Sequence, residues 1–113
     1  MDLEISIQSF QEKLKDLLSS ADADQFCLLD VRESWEVGLC AFPGSRLIPM
    51  GDLPSRAHKE LDPDAHIVVV CHYGQRSLSV AAWLREQGFE QAQSLAGGID
   101  AWARMMDPTM ARY

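Results

Sequence analysis

The apolar positions along the chain follow two different patterns. One set recurs at the spacing of a single helix face: Phe10, Leu14, Leu17 and Leu18. Residues 26–31 and 67–71 are instead nearly continuous apolar runs, which are typical of strands buried on both faces of a parallel sheet. Such strands, alternating with helical segments, indicate an α/β domain on a mainly parallel sheet.

The predicted elements alternate along the whole chain. Strands are expected at 3–7, 26–31, 47–49, 67–70 and 89–95. Helices are expected after Ser6 or Ser9 and then at 33–38, 51–61, 77–87 and 99–106. In the short helix at 33–38 we expect Trp35 and Val37 to pack inward, and residues 21–24 are expected to form a polar connection.

The length and composition describe one ordinary globular domain. A chain of 113 residues, 47% of them apolar, is long enough to form its own core. We assign residues 1–113 to a single domain, with a core from about 3 to 106 and a loose tail at 107–113. No apolar run approaches the ~18 residues of a membrane span, and the acidic start lacks the features of a signal peptide. These features favour the cytoplasm.

Charge and cysteine content narrow the classes of partner. The net charge of −7 disfavours nucleic acid and anionic membranes, because both need a basic patch. Three cysteines without a CxxC pair argue against a disulfide framework and against a metal site. Cys27 is expected in the core as part of the run at 26–31, and Cys40 is expected to be half-buried.

Cys71 has the surroundings of a reactive thiol. It ends the apolar run at 67–71 and is followed by a short loop and a predicted helix. A helix start has unpaired backbone N–H groups and the positive end of the helix dipole. Gly74 allows a tight curl that aims further N–H groups inward, and Arg76 adds a positive charge. Such surroundings favour the thiolate, so Cys71 is the candidate nucleophile; the alternative is a structural cysteine that closes a core strand.

Three stretches together resemble the rhodanese family of sulfurtransferases. Cys-His-Tyr-Gly-Gln-Arg-Ser at 71–77 resembles the family's active-site loop. Leu-Leu-Asp-Val-Arg-Glu-Ser-Trp-Glu at 28–36 is similar to its early Asp-Val-Arg segment, and Leu-Ala-Gly-Gly-Ile-Asp-Ala-Trp at 95–102 to its late Leu-x-Gly-Gly-x-x-Ala-Trp segment. The chain departs from the commonest pattern at Cys40 and Ala41, where Gly and His usually stand. The resemblance implies a single rhodanese-like domain with about five mainly parallel strands and helices on both faces.

The resemblance also implies a reaction and a set of site residues. Cys71 would accept a sulfur atom from thiosulfate or a similar small anionic donor and pass it to cyanide or a thiol, with no metal or other cofactor. The substrate-binding residues would be those of the loop: His72, Tyr73, Gly74, Gln75, Arg76 and Ser77. Asp30 and Arg32 lie where the strand at 26–31 ends, either beside this loop or as a local ion pair that shapes the chain.

Other functions stay open at this point. A rhodanese-like domain can instead be a persulfide carrier or an interaction module that serves a dedicated partner protein. Phosphatases and arsenate reductases use the pattern Cys-x5-Arg, whereas four residues separate Cys71 from Arg76, which makes a tighter loop suited to a sulfur atom. A hydrolase-type pair of Cys71 with His72 lacks an evident third residue to orient the histidine.

Overall fold

The computed structural model describes residues 1–18 and 25–113, so the predicted connection at 21–24 lies outside the described residues. Within them, five parallel strands form one sheet: β1 (Glu4–Ile5), β2 (Phe26–Asp30), β3 (Arg46–Leu47), β4 (His66–Val70) and β5 (Ala92–Leu95). Their spatial order is β1-β5-β4-β2-β3, which places β4 at the centre. The predicted α/β class with a parallel sheet is therefore confirmed.

Helices connect the strands as parallel pairing requires. They are α1 (Ile7–Leu18), α2 (Ser34–Val37), α3 (Leu53–Glu60), α4 (Gln75–Glu86) and α5 (Gly98–Met105). A 3-10 turn at Met50–Asp52 leads into α3, which has Pro54 in its first turn, where the missing N–H of proline costs nothing. Over the described ranges, none of these helices has the length and apolar content to cross a membrane.

The side chains of β4 alternate between two apolar clusters, one on each face of the sheet. Ile67 packs in the cluster that includes Leu84 of α4, and Val68 packs in the cluster that includes Phe10 of α1. All four are buried, and burial of each such side chain stabilises the fold by about 1.5–3 kcal/mol. Because both faces are covered, the central strands are continuous apolar runs.

The sheet brings the ends of β2 and β4 to one place. Asp30, the last residue of β2, pairs in register with Val70, the last residue of β4. Arg32, two residues after β2, and Cys71, the residue after β4, therefore leave the sheet at the same edge. This carboxyl edge is where open parallel sheets place their sites.

The short helix α2 differs from its prediction. Trp35 is 65% exposed and Val37 is only half-buried, so the expectation that both pack inward is wrong. Glu36 is buried instead, because an arginine from another part of the chain pairs with its carboxylate. The buried face of this helix is thus set by an ion pair rather than by apolar contacts.

Two further expectations need correction. Helix α4 begins at Gln75, two residues before the predicted start at 77, because Gly74 turns the chain with a φ of 99°. The segment at 107–113, expected to be loose, packs back against the domain. Met110 contacts the apolar cluster that includes Phe10, and Arg112 donates a hydrogen bond to Asp100.

Candidate active site

The Cys71 sulfur lies at the start of α4. The backbone N–H groups of Gly74 and Ser77 donate hydrogen bonds to Cys71 Sγ, with N···S distances of 3.1 and 3.2 Å. Gly74 is the N-cap residue and Ser77 lies in the first turn, so both N–H groups belong to the positive end of the helix. Cys71 itself is 1% exposed. The sulfur is therefore buried with N–H groups aimed at it, an arrangement that stabilises a sulfur anion.

Glycines allow a second helix to hold the loop from behind. The first N–H groups of α5 bind the loop backbone: Ile99 N–H donates to the Cys71 carbonyl at 2.9 Å, and Asp100 N–H to the His72 carbonyl at 3.1 Å. A Cβ built on Gly98 would overlap both carbonyl oxygens, so only glycine permits this approach. Gly98 of the late motif thus has a physical role in placing Cys71.

A serine on β5 extends the contacts of the sulfur. The Ser77 hydroxyl lies 3.2 Å from Cys71 Sγ and 2.7 Å from the hydroxyl of Ser94, and both serines are fully buried. When the sulfur is ionised, the Ser77 hydroxyl can donate to it while accepting from Ser94. Ser94 is not among the residues predicted from the sequence; the signal that could have found it is a polar residue on a buried strand next to the Leu-x-Gly-Gly motif.

Arg76 of the loop is held by Glu36 of α2. Its two terminal nitrogens donate to the two carboxylate oxygens of Glu36 at 2.8 and 2.7 Å, a bidentate pair. The hydrogen bond from Arg76 lowers the pKa of Glu36 to about 2. The Arg76 side chain is 37% exposed, and its hydrogen bonds to Glu36 raise its pKa, with a smaller contribution from the charge of Cys71. Arg76 thus lies within electrostatic reach of the sulfur, with its charge shared with Glu36.

Arg32 faces Asp30 and the segments that surround the loop. It donates to both Asp30 oxygens, at 2.9 Å from Nε and 2.6 Å from a terminal nitrogen, and to the Cys40 carbonyl at 2.8 Å. The guanidinium is completely buried. Of the two readings from sequence, this geometry agrees with a local ion pair that shapes the chain.

Three aromatic rings stack beside the loop. The His72 ring lies between Tyr73, with a centroid distance of 3.8 Å, and Tyr113, with a centroid distance of 3.7 Å. Within the described part of the chain, His72 Nε2 is buried and has no hydrogen-bond partner. Nothing in this arrangement makes His72 a base for Cys71. Tyr113 was not singled out from the sequence, because a residue 42 positions after Cys71 gives no local signal of the contact.

Comparison with known protein families shows which family the chain belongs to. The Rhodanese-like domain family matches residues 10–105 of the chain. The chain belongs to this family. Its rhodanese-like fold is shared with a solved rhodanese-like domain protein from Staphylococcus aureus, at a TM-score of 0.77 and 25% identity, covering 99% of both chains.

Relatives of the rhodanese-like chain are named as sulfurtransferases and sulfur carriers. A "Sulfurtransferase" of Allochromatium vinosum is 33% identical, over 96% of this chain and 94% of that protein. A "Putative sulfur carrier protein YrkF" of Bacillus subtilis is 34% identical, over 88% of this chain and 50% of that protein. Several relatives are longer, and the chain spans 25% to 50% of their length. The family is thus one of sulfurtransferases and sulfur carriers.

Only some of the predicted loop residues lie at the Cys71 sulfur. Cys71, Gly74 and Ser77 meet at the sulfur, whereas Tyr73 and Gln75 are exposed. Among the residues that the structure describes, no group of three His, Cys, Asp or Glu side chains could hold a metal ion. The site thus places the Cys71 sulfur among backbone and hydroxyl groups that can donate hydrogen bonds to it.

Proposed function

We propose that the protein transfers sulfur through a persulfide on Cys71. The donor is thiosulfate or a similar small anion, and the acceptor is cyanide or a thiol. One observation carries the proposal: two backbone N–H groups and the positive end of α4 converge on Cys71 Sγ. The same positive end would stabilise the negative charge of the persulfide, one bond further out.

The proposed reaction has two balanced half-reactions. The Cys71 thiolate attacks the outer sulfur of thiosulfate, a new S–S bond forms to Sγ, and the old S–S bond breaks with its electron pair leaving on sulfite. Cyanide or a thiolate then attacks the outer sulfur of the persulfide, and the Cys71 thiolate leaves with the electron pair. No proton transfer is needed when Cys71 and the acceptor both react as anions. This is covalent catalysis with the free enzyme restored at the end.

The other loop residues have proposed roles that follow from their positions. Gly74 and Ser77 would hold the sulfur through their N–H groups, and the exposed part of Arg76 would attract the anionic donor. His72, Tyr73 and Gln75 would form the rest of the substrate-binding loop. Asp30 and Arg32 would support this loop indirectly, since Arg32 donates to the Tyr113 hydroxyl and the Tyr113 ring stacks on His72.

The loop geometry supports sulfur transfer over phosphate hydrolysis. Four residues separate Cys71 from Arg76, and both terminal nitrogens of Arg76 are already bonded to Glu36. A phosphatase needs its arginine and a wider ring of N–H groups free for three phosphate oxygens. A single sulfur atom needs only the two N–H groups that already contact Sγ.

Steady-state kinetics test the proposal. Thiocyanate formation should follow ping-pong kinetics when the concentrations of thiosulfate and cyanide are both varied, because sulfite leaves before cyanide reacts. An aryl phosphate serves as the competing substrate. We expect turnover of thiosulfate and none of the phosphate; faster hydrolysis of the aryl phosphate would overturn the proposal.

A carrier function is the second candidate, because one relative is named a sulfur carrier. A carrier would share the first half-reaction but deliver sulfur only to a dedicated protein thiol. Sulfite release of one equivalent per Cys71, without continued turnover by cyanide or small thiols, would favour the carrier.

For both candidate functions we propose a reducing compartment such as the cytoplasm, where the acceptor thiols stay reduced.

A further inference from the structure

The segment at 107–113 ends against the catalytic loop. Arg112 donates to Asp100 Oδ1 at 2.9 Å, which anchors the segment to α5. The next residue, Tyr113, is half-buried at the carboxyl edge of the sheet. Its ring and its hydroxyl make separate contacts, and each contact leads to a different part of the loop at 71–77.

The ring of Tyr113 contacts the beginning of the loop. It stacks on the His72 ring at a centroid distance of 3.7 Å with the planes only 8° apart. His72 follows Cys71 directly, and Tyr73 covers the other face of the imidazole. The His72 side chain is therefore enclosed between two aromatic rings, which restricts the backbone on which Cys71 Sγ depends.

The hydroxyl of Tyr113 contacts the end of the loop through Glu36. It donates to Glu36 Oε1 at 2.9 Å and accepts from an Arg32 terminal nitrogen at 3.0 Å. The same Glu36 carboxylate accepts both hydrogen bonds from Arg76. Burial raises the pKa of Tyr113, so its hydroxyl keeps the proton that it donates to Glu36. One side chain thus connects two buried charged groups and orients the carboxylate that holds Arg76.

We propose that Tyr113 is a positioning residue for sulfur transfer, with its ring fixing the His72 end of the loop and its hydroxyl fixing the Arg76 end. The proposal rests on the proposed function of Cys71 for its activity readout. It goes beyond a packing role, because a residue that only fills space would not need a hydroxyl bonded on both sides. Tyr113 touches neither donor nor acceptor in this account and acts through His72, Glu36 and Arg76.

Three variants separate the ring from the hydroxyl. Tyr113→Phe keeps the ring and removes the hydroxyl, and Tyr113→Leu removes both. Thr109→Val is the matched control, because it removes a hydroxyl from the same segment that donates to Asp107, away from the loop at 71–77. We expect kcat/KM for thiosulfate to fall about 3- to 10-fold in Tyr113→Phe, about 10- to 100-fold in Tyr113→Leu, and not at all in Thr109→Val.

The second readout is the rate of Cys71 alkylation by iodoacetamide as a function of pH. Because Tyr113 helps to fix the N–H groups and the Arg76 charge around the sulfur, its loss should move the alkylation profile to higher pH. The shift should be larger in Tyr113→Leu than in Tyr113→Phe and absent in Thr109→Val. A side chain with a merely structural role would lower the unfolding midpoint without moving this profile.

The outcomes are separable from those of the proposed function. If wild type takes no sulfur from thiosulfate, the proposed function fails, while the alkylation profiles still test the positioning by Tyr113. If Tyr113→Phe keeps both the wild-type kcat/KM and the wild-type alkylation profile, the role of the hydroxyl is overturned. If Tyr113→Leu does so as well, the whole proposal is overturned; if Tyr113→Leu fails to fold, Tyr113→Phe alone decides.

Discussion

Cys71 and Cys27 belong to neighbouring strand segments of one sheet, but they differ in the hydrogen-bond donors and the helix ends around their sulfur atoms. Cys71 directly follows β4 at the carboxyl edge, with two N–H groups and a helix start at its sulfur. Cys27 is the second residue of β2, near the amino edge, and packs beside the apolar cluster. Burial raises the pKa of the Cys27 thiol and keeps it protonated. The two identical side chains therefore have different surroundings because they lie at opposite ends of their strands.

The ion pairs at the two edges of the sheet differ in their exposure to solvent. At the carboxyl edge Asp30 and Arg32 are fully buried, and Glu36 is 4% exposed beneath Arg76. Near Cys27 the ion pair of Arg46 with Glu60 is exposed to solvent, at 48% and 30%. Buried pairs hold a fixed geometry, whereas exposed pairs contribute little. The loop at 71–77 therefore lies beside buried ion pairs, whereas the surface near Cys27 has an exposed one.

The largest expected effect comes from removing the reactive thiol. Cys71→Ala should lower sulfur transfer by at least about a thousandfold, as loss of a nucleophile does in covalent catalysis. Cys27→Ser and Cys40→Ser should keep the wild-type rate wherever they fold, because Cys27 lies inside β2 and Cys40 Sγ has a long contact of 3.9 Å to Arg32 rather than the N–H groups of a helix start. The rate of thiocyanate formation is the measurement. Full activity in Cys71→Ala would contradict the comparison between the two thiols.

The next effect concerns the positive charge of Arg76, which follows Cys71 in the loop at 71–77. Arg76→Ala should lower kcat/KM for thiosulfate by about 1–3 kcal/mol of transition-state binding, or about 5- to 150-fold. Arg56→Ala is a matched control: its side chain is also 37% exposed and pairs with a glutamate, but on α3. An equal kcat/KM in Arg76→Ala and wild type would mean that the backbone alone binds the donor.

Acid should weaken the ion pair at the carboxyl edge of the sheet more than the ion pair near the amino edge. The pKa of Glu36 is about 2 in the folded protein, below its ordinary value of 4.5, so its stabilising effect is full above pH 4.5 and is lost as the pH falls toward 2. The loss should be about 2 kcal/mol, because the partner Arg76 is 37% exposed and solvent weakens the pair.

Urea unfolding on both sides of that pH window measures the effect of Glu36. The free energy of unfolding should fall less with acid in Glu36→Gln than in wild type, because the variant has no carboxylate there to protonate. Glu60→Gln, which removes the exposed carboxylate near the amino edge, should follow the wild-type curve closely. Parallel curves for wild type and Glu36→Gln would refute the assigned pairing.

The smallest effect tests the hydroxyl contacts of the sulfur. Ser94→Ala removes the partner of the Ser77 hydroxyl, at 2.7 Å, without touching Cys71. We expect sulfite release in the first turnover to slow about 3- to 10-fold, the effect of one hydrogen bond of about 1 kcal/mol. Ser79→Ala, an exposed serine on α4, should release sulfite at the wild-type rate. Equal rates for Ser94→Ala and wild type would remove Ser94 from the site.

Sequence patterns captured the parts of the site that are local. The strand, the loop and the helix start around Cys71 are contiguous, so composition and order alone indicated a thiol at a helix N-terminus. The apolar runs likewise indicated strands covered on both faces, because residues such as Ile67 and Val68 are buried on opposite sides.

The parts that escaped prediction depend on distant residues. Glu36 is buried because Arg76, 40 positions later, pairs with it, and no helical periodicity records that contact. Tyr113 contacts Glu36 across 77 positions, and the sequence, which does not record this contact, predicts only a loose tail at 107–113. Ser94 has meaning only when β5 lies beside the loop. The fold could therefore be predicted from the sequence, whereas the long-range polar contacts could not.

The central claim is that the persulfide forms on Cys71 and nowhere else. Mass spectrometry of peptides from the protein, after mixing with thiosulfate and rapid alkylation, tests it directly. The account predicts a gain of one sulfur atom on the peptide that contains Cys71, with the Cys27 and Cys40 peptides unchanged. A protein that gains no sulfur, or that gains it on Cys27 or Cys40, would contradict the account.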